Sequence, residues 1–292
     1  MTLLQAILLG IVQGLTEFIP ISSTAHLVLA ARVMNLGLTP QQTTASIAVV
    51  QLGTLIAVIA YFARDIWNIT WAFAHDHFML LKNGRRDEFN RANDSARLSH
   101  EALLGWLVII GSIPVAVVGL LFKKQIEGTF TKNLWVIATM MVVLAVLLAV
   151  AELVSKKRRR MQDLGIKDAL AVGFAQCLAL IPGSSRSGST IMAGLFVGEM
   201  RETAARFSFL LSMPAVAASG LLELKEAVHK LPSGSLSALA LGTLVSAIVG
   251  YASIWFLLRY LRTHTTAVFI GYRLIVGTAM LIMLFNGRIS AL

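Results

Sequence analysis

Two apolar stretches of this chain, 3 to 34 and 168 to 198, are each long enough to cross a bilayer, and each is broken in the middle by a run that lipid cannot accept. The first is interrupted by Pro20-Ile21-Ser22-Ser23-Thr24, the second by Pro182-Gly183-Ser184-Ser185-Arg186-Ser187-Gly188-Ser189-Thr190. Polar backbone at that depth is tolerated only where protein buries it or a wet cavity receives it, so both stretches read as re-entrant helical hairpins or discontinuous helices. Six further stretches, 46–63, 103–122, 134–153, 207–224, 236–258 and 266–286, approach the roughly 20 apolar residues that a spanning helix needs. Composition agrees: 57% of the 292 residues are hydrophobic and 14% charged, against about 25% charged in an ordinary soluble domain. A water-soluble globule is excluded. A disulfide scaffold is excluded too, because the single cysteine, Cys177, lies inside an apolar run. The net charge of +10 falls between apolar segments, which fits anionic lipid headgroups and not nucleic acid. No cleavable signal peptide is expected: the start has no basic region, and its apolar stretch meets Glu17 and Pro20.

The two broken stretches resemble each other. Gly10-Ile-Val-Gln13-Gly-Leu15 matches Gly173-Phe-Ala-Gln176-Cys-Leu178, and Pro20-Ile-Ser22-Ser23 matches Pro182-Gly-Ser184-Ser185 after a one-residue gap. Gly111 and Gly119 echo the spacing of Gly242 and Gly250. The expected architecture is an all-α polytopic membrane protein forming one membrane domain from two repeats, 1–155 and 156–292, each a hairpin followed by three spans. Three spans is an odd number, so the halves are inverted and the hairpins enter from opposite sides, their tips free to meet. With each hairpin returning to its own side, the loops 64–101, 154–167, 199–206 and 259–265 share a face carrying sixteen Lys and Arg against seven on the other. That assigns the first face to the cytoplasm. The run Lys156 to Arg160 reads most simply as part of this topology signal.

Each hairpin's second arm begins just after its Pro-x-Ser-Ser turn, where the first backbone N–H groups of a helix lack partners and attract anions. Ser22, Ser23, Thr24, Ser185 and Ser187 can cap these ends, Gly183 and Gly188 let backbone approach a ligand, and Arg186 offers a planar fork for phosphate oxygens. The plainer alternative, that serines merely satisfy a broken helix, leaves an arginine inside an apolar zone unexplained. Gln13 and Glu17 are one helical turn apart, so they share a face. A carboxylate at that depth must be paired, protonated or metal-bound, and Glu17 is a candidate to hold a divalent cation or carry a proton. His26 lies three residues beyond Ser23, close enough to serve a serine nucleophile or to attack phosphorus itself. Arg273 interrupts the last apolar stretch and reads as a second phosphate clamp, as the counter-ion of Glu17, or as a snorkelling interfacial residue. No Gly-x-x-x-x-Gly-Lys-Ser/Thr loop for ATP and no clustered His/Cys zinc pattern occurs.

Gln13-Gly-Leu-Thr-Glu17-Phe-Ile-Pro20-Ile-Ser22-Ser23-Thr24-Ala-His26 resembles the (Glu/Gln)-x-x-x-Glu and Pro-x-Ser-Ser-Thr-x-His signature of the bacterial undecaprenyl pyrophosphate phosphatases. Pro182 to Thr190 resembles their Pro-Gly-x-Ser-Arg-Ser-Gly-x-Thr signature. The resemblance runs the length of the chain. It implies an integral protein of the bacterial cytoplasmic membrane that acts on its outer face, removes the terminal phosphate of a polyprenyl diphosphate to recycle the carrier for peptidoglycan synthesis, and confers bacitracin resistance. It implies a catalytic set of Glu17, Ser23, His26 and Arg186, and a divalent cation, Mg2+ or Ca2+, at Glu17 with Gln13 as a second contact. Gln13 takes the less acidic option of the motif. Substrate-binding candidates are Gln13, Ser22, Thr24, Ser185, Ser187, Gly188, Thr190 and Arg273. The attacking group is left open between Ser23, His26 and an activated water, and a homodimer is left open as well. The rival reading is a polyprenyl-phosphate flippase or anion transporter, which needs the anion site but no nucleophile.

Overall fold

The computed structural model describes residues 1–83, 98–122, 133–228 and 236–291. Among the described residues are eleven α-helices, and the only extended pairing is an isolated bridge between Arg159 and Glu199. The first broken stretch is α1 (Leu3–Phe18) and α2 (Ser23–Met34), followed by α3 (Pro40–Tyr61), α4 (Ala63–Asn83), α5 (His100–Leu121) and α6 (Leu134–Val154). The second broken stretch is α7 (Ile166–Gln176), a 3-10 turn (Cys177–Leu180) and α8 (Arg186–Phe196), followed by α9 (Arg201–Val228), α10 (Leu236–Leu261) and α11 (Ala267–Phe285). Helix starts carry the expected polar caps. The Thr2 and Thr39 side chains accept from backbone three residues on while Gln5 and Gln42 answer back, and Ser99 and Asn133 cap α5 and α6.

Among the described residues five helices, α3, α5, α6, α10 and α11, are long and apolar enough to cross a membrane. The chain is a multi-pass membrane protein. The sixth expected span, 207–224, lies within α9, a 28-residue helix that is not one of those five and carries Pro214 in its interior. A second difference concerns 64–101, expected as a hydrophilic loop. Its first part is the 21-residue α4, which exposes Trp67, Trp71 and Leu81 and packs Phe73 against Gly105 of α5. Alternating charged and aromatic residues in 64–83 obscured a helical stripe that α5 completes. Of the basic residues used to orient the chain, Arg85, Arg86, Arg91, Arg97, Lys123, Lys124, Lys132 and Lys230 lie outside the described residues.

Packing crosses between the two halves of the chain. The arm α1 lies against α10, and α7 lies against α5; α3 packs on α9 and α10, and α6 packs on α11. Small residues make the first two contacts close. A Cβ at Gly10 would overlap the carbonyl of Gly242, and a Cβ at Gly173 would overlap the carbonyl of Gly111. Gly250 is likewise packed, against Phe18 and Ala57, whereas its sequence echo Gly119 meets nothing. The largest apolar cluster gathers around Phe18, Phe62 and Phe209 between these elements. Side chains larger than hydrogen at Gly10 or Gly173 must push helices apart, which costs about 1–3 kcal/mol each. Gly10→Val and Gly173→Val should therefore each lower the thermal midpoint of the detergent-solubilised protein, whereas Gly119→Val should leave it in place.

At one end of the helices, ion pairs join elements that are distant in sequence. Glu152, at the end of α6, accepts from Arg201, pairs with Lys157 at 3.0 Å and accepts from the Thr266 hydroxyl at 2.8 Å. Arg159 pairs with Asp168 of α7, its Nη2 2.6 Å from Oδ2. Lys157 and Arg159 thus hold structure together, beyond any part they play in topology. Glu199 is fully buried beside this pair, and neither of its carboxyl oxygens has a hydrogen-bond partner among the described residues. Burial pushes its pKa up to about 8, with the negative Asp168 adding to the rise and Arg159 opposing it. The folded chain therefore keeps a proton that the unfolded chain releases from its ordinary value of 4.5 upward. The stability this confers is complete below that value and is lost progressively as pH rises toward about 8. Melting curves taken across this window should show the wild type losing stability with rising pH and Glu199→Gln losing much less; superimposable trends would contradict the assignment.

Candidate functional site at the two turns

The helix α1 stops at Phe18 because Ile19, which precedes a proline, is forced into extended backbone. The chain then enters α2 through Ser22, with φ 78° and ψ 95°, and enters α8 through Ser185, with φ 68° and ψ 119°. A non-glycine residue rarely adopts such a conformation, which costs about 1–3 kcal/mol and must be held by its surroundings. In the second turn Gly183, φ 91°, lies so close to α6 that a Cβ would overlap the Ile137 carbonyl. The two strained serines are 163 positions apart, as are Gly10 and Gly173 and also Gln13 and Gln176. The gap that the Pro-x-Ser-Ser alignment required is therefore absent from the backbone. The shared feature is the positive-φ entry into the helix, and the proline merely falls one position earlier in the second turn. Ser23 and Arg186 consequently occupy the same place, the first residue of their respective helices.

The turns meet through charge. Arg186 Nη2 donates to Glu17 Oε1 at 2.6 Å, with 15% and 8% of the two side chains exposed. Glu17 Oε2 accepts from Gln13 Nε2 at 3.1 Å, and the same Nε2 lies 3.3 Å from Thr54 Oγ1 of α3. In the two broken stretches several buried polar atoms have no partner among the described residues: Gln13 Oε1, Ser22 Oγ, Ser184 Oγ, Ser189 Oγ, Arg186 Nη1 and both amide atoms of Gln176.

Arg273 has a different place from any expected. It is 1% exposed, and its donors go to backbone carbonyls: Nε to Met141 at 3.2 Å, Nη1 to Pro20 at 3.3 Å, and Nη2 to Met140, Gly183 and Ser184 at 3.3, 3.0 and 3.2 Å. The counter-ion of Glu17 is Arg186, and Arg273 does not snorkel. Its residual positive charge lies beside Gly188, where a Cβ would be 3.4 Å from Nη1. Glu17 and Arg186 cancel, so the turns retain one buried guanidinium and the positive ends of two helices. That bias favours an anion.

His26 Nδ1 is 2.7 Å from the Ser22 carbonyl and Nε2 is 2.7 Å from the Tyr272 hydroxyl, with the two rings stacked. A carbonyl only accepts, so Nδ1 carries the hydrogen and the neutral ring's Nε2 accepts from Tyr272. Ser23 is half-buried and Thr24 exposed at the start of α2. The Ser185 hydroxyl accepts from Gly188 N and shares a hydrogen bond with Ser187, both at 3.2 Å. Thr190 is wholly buried and spent on the Arg186 and Ser187 carbonyls and on Ser208, which keeps it inside the protein. The structure thus joins Gln13, Glu17 and Arg186 directly, places Ser22, Ser185, Ser187 and Gly188 in the turns beside them, and gives Thr190 and Arg273 internal partners. Sequence reasoning missed Tyr272, Thr54, Ser208 and Gln176. Only Gln176 had a signal, its match to Gln13.

No cluster of three or more His, Cys, Asp or Glu side chains that could cage a metal occurs among the described residues. What the site offers is one carboxylate, Glu17, and one orphaned amide oxygen, Gln13 Oε1. That donor set fits a hard divalent cation held mostly by substrate oxygens and water, the habit of Mg2+.

Membrane-length helices around two turns joined by the Glu17–Arg186 pair and by Arg273 define a multi-pass membrane protein with an internal polar site. The chain belongs to a family whose model, described as bacitracin resistance protein BacA, matches residues 6–279. It is similar to the undecaprenyl-diphosphatase of Syntrophobacter fumaroxidans, 52% identical with 98% of this chain and 99% of the relative covered. Proteins of the same name from Chlorobium phaeobacteroides and Mycolicibacterium vanbaalenii are 48% and 44% identical, each with both chains fully covered.

Removing one member of the Glu17–Arg186 pair leaves the other charge buried alone, a penalty of about 3 kcal/mol or more for a fully buried pair and somewhat less here. Arg186→Met should lower unfolding stability clearly, and adding Glu17→Gln should restore much of the loss; a double variant as unstable as the sum of the singles would break the coupling.

Proposed function

We propose that the chain hydrolyses undecaprenyl diphosphate to undecaprenyl phosphate and inorganic phosphate, with the headgroup held between the two turns and the polyprenyl tail in lipid. The observation that carries the proposal is the Glu17–Arg186 contact, which joins a carboxylate at the end of α1 to a guanidinium at the start of α8. A transporter needs the positive ends. It has no use for a nucleophilic hydroxyl such as that of Ser23 at the first position of α2.

Ser23 is the nucleophile in this reading. The lone pair of His26 is engaged by Tyr272, which argues against direct attack by the imidazole. Incoming phosphoryl oxygens compete with Glu17 for Arg186 and supply an acceptor for the orphaned Nη1. The carboxylate released from the pair takes the Ser23 proton as Oγ bonds to the terminal phosphorus. The bond from that phosphorus to the bridging oxygen breaks, and lipid monophosphate leaves as an anion. Water then cleaves the phosphoserine and releases inorganic phosphate. Arg186 and the helix ends bear the charge that develops on the phosphoryl oxygens. A divalent cation, Mg2+ or Ca2+, would be held by Glu17 and the Gln13 carbonyl and would offset the charge of the diphosphate.

The same reading places the protein in the bacterial cytoplasmic membrane with the site open to the outer side, and divides the chain into inverted repeats of a re-entrant hairpin and three spans. Three features support the repeat: the strained serines 163 positions apart, the Gly10–Gly242 and Gly173–Gly111 contacts between equivalent glycines, and the crossed packing of each hairpin on the other half.

Purified protein given undecaprenyl diphosphate and Mg2+ in detergent should release phosphate. Ser23→Ala should abolish both turnover and a trappable phosphoenzyme, and Arg186→Ala should cut kcat on the order of 10²- to 10³-fold. Lipid movement across vesicles with no phosphate released would favour the flippase.

A further inference from the structure

We infer that Arg273 is the positioning residue of the site: its guanidinium joins the two turns to each other and to α6, and so fixes the gap in which the headgroup reacts. The inference rests on the hydrolase reading given above. Its basis is the full set of five hydrogen bonds. One goes to the first turn at Pro20, two to the second at Gly183 and Ser184, and two to carbonyls of α6 at Met140 and Met141.

The carbonyls of Pro20, Gly183 and Ser184 are ones that breaking the helices sets free. Pro20 and the residues after Ile181 lie where no helical N–H reaches back to them, and at this depth no lipid group can donate in its place. A planar group with five N–H donors spread over three nitrogens can make five bonds to three chain segments, more than the three donors of a lysine ammonium can supply from one nitrogen. At 1% exposure and with its nitrogens committed, Arg273 is not placed to grip the substrate. It acts through the residues it holds. The Ser22 and Ser185 entries into α2 and α8 begin one or two residues beyond the bonded carbonyls, so the positions of Ser23 and Arg186 depend on where those carbonyls are pinned. Loss of the fork leaves both catalytic side chains chemically intact but out of register.

The test compares Arg273→Lys, Arg273→Met and Arg273→Ala with wild type, using phosphate release from undecaprenyl diphosphate and, separately, chromatographic behaviour and melting in detergent. Positioning predicts a kcat loss on the order of 10²-fold, the penalty of a misplacement of about 1 Å, with KM changed far less. Lysine should fail nearly as badly as methionine, because the fork matters and not the charge alone. Millimolar guanidinium should restore part of the activity of Arg273→Ala. Full activity in Arg273→Lys, or a KM increase with kcat preserved in any variant that folds, overturns the inference. If Arg273→Ala does not fold, the lysine and methionine variants still decide between these outcomes. Absence of phosphate release by wild type would sink the hydrolase reading itself, which is a separate result.

Discussion

A helix broken inside a membrane domain creates carbonyls that neither lipid nor the helix can satisfy, and each left bare costs about 1–3 kcal/mol. Two such breaks occur here, and one buried guanidinium, that of Arg273, answers carbonyls from both. The rest of the site depends on that arrangement. With the turns joined, the strained entries at Ser22 and Ser185 are held in place and Arg186 reaches Glu17. A hydrophobic core alone would not produce this. Apolar packing is indifferent to small rotations of a turn, while hydrogen bonds to named carbonyls are not.

The site is built from pairs of opposite character. Glu17 and Arg186 neutralise one another and can exchange partners when a phosphate arrives. Arg273 has no carboxylate partner among the described ion pairs, so its charge persists as a standing bias toward anions. Close glycine contacts at Gly10–Gly242 and Gly173–Gly111 bring α1 and α7 each against a helix of the other half of the chain. Helix-to-helix contact through small residues is the usual device where no hydrophobic force distinguishes protein from lipid.

Much of this was legible in the residues. Both broken stretches and the need of Glu17 and Arg186 for partners follow from one rule, that polar groups deep in an apolar segment demand a partner. Other features were hidden. The α4 helix looked like a loop because its stripe needs α5 to cover it. The correct register of the two turns depends on a positive φ at a serine, which leaves no trace in residue type, whereas the prolines are conspicuous and misaligned by one. The link between His26 and Tyr272 spans 246 positions and has no local signature.

By itself the sequence determined that this chain lives in a membrane, that two of its segments must turn back or break there, and which charged groups would need an explanation. Periodicity and hydropathy are local properties, and the cost of burying a charge is known before the fold is. Only the tertiary structure decided who satisfies whom: that Glu17 belongs to Arg186, that Arg273 serves backbone, and that Thr190 faces inward to Ser208. Hydrogen bonds and ion pairs are short-ranged, so a choice among partners a hundred or more residues away is made only once packing has brought them within about 3 Å.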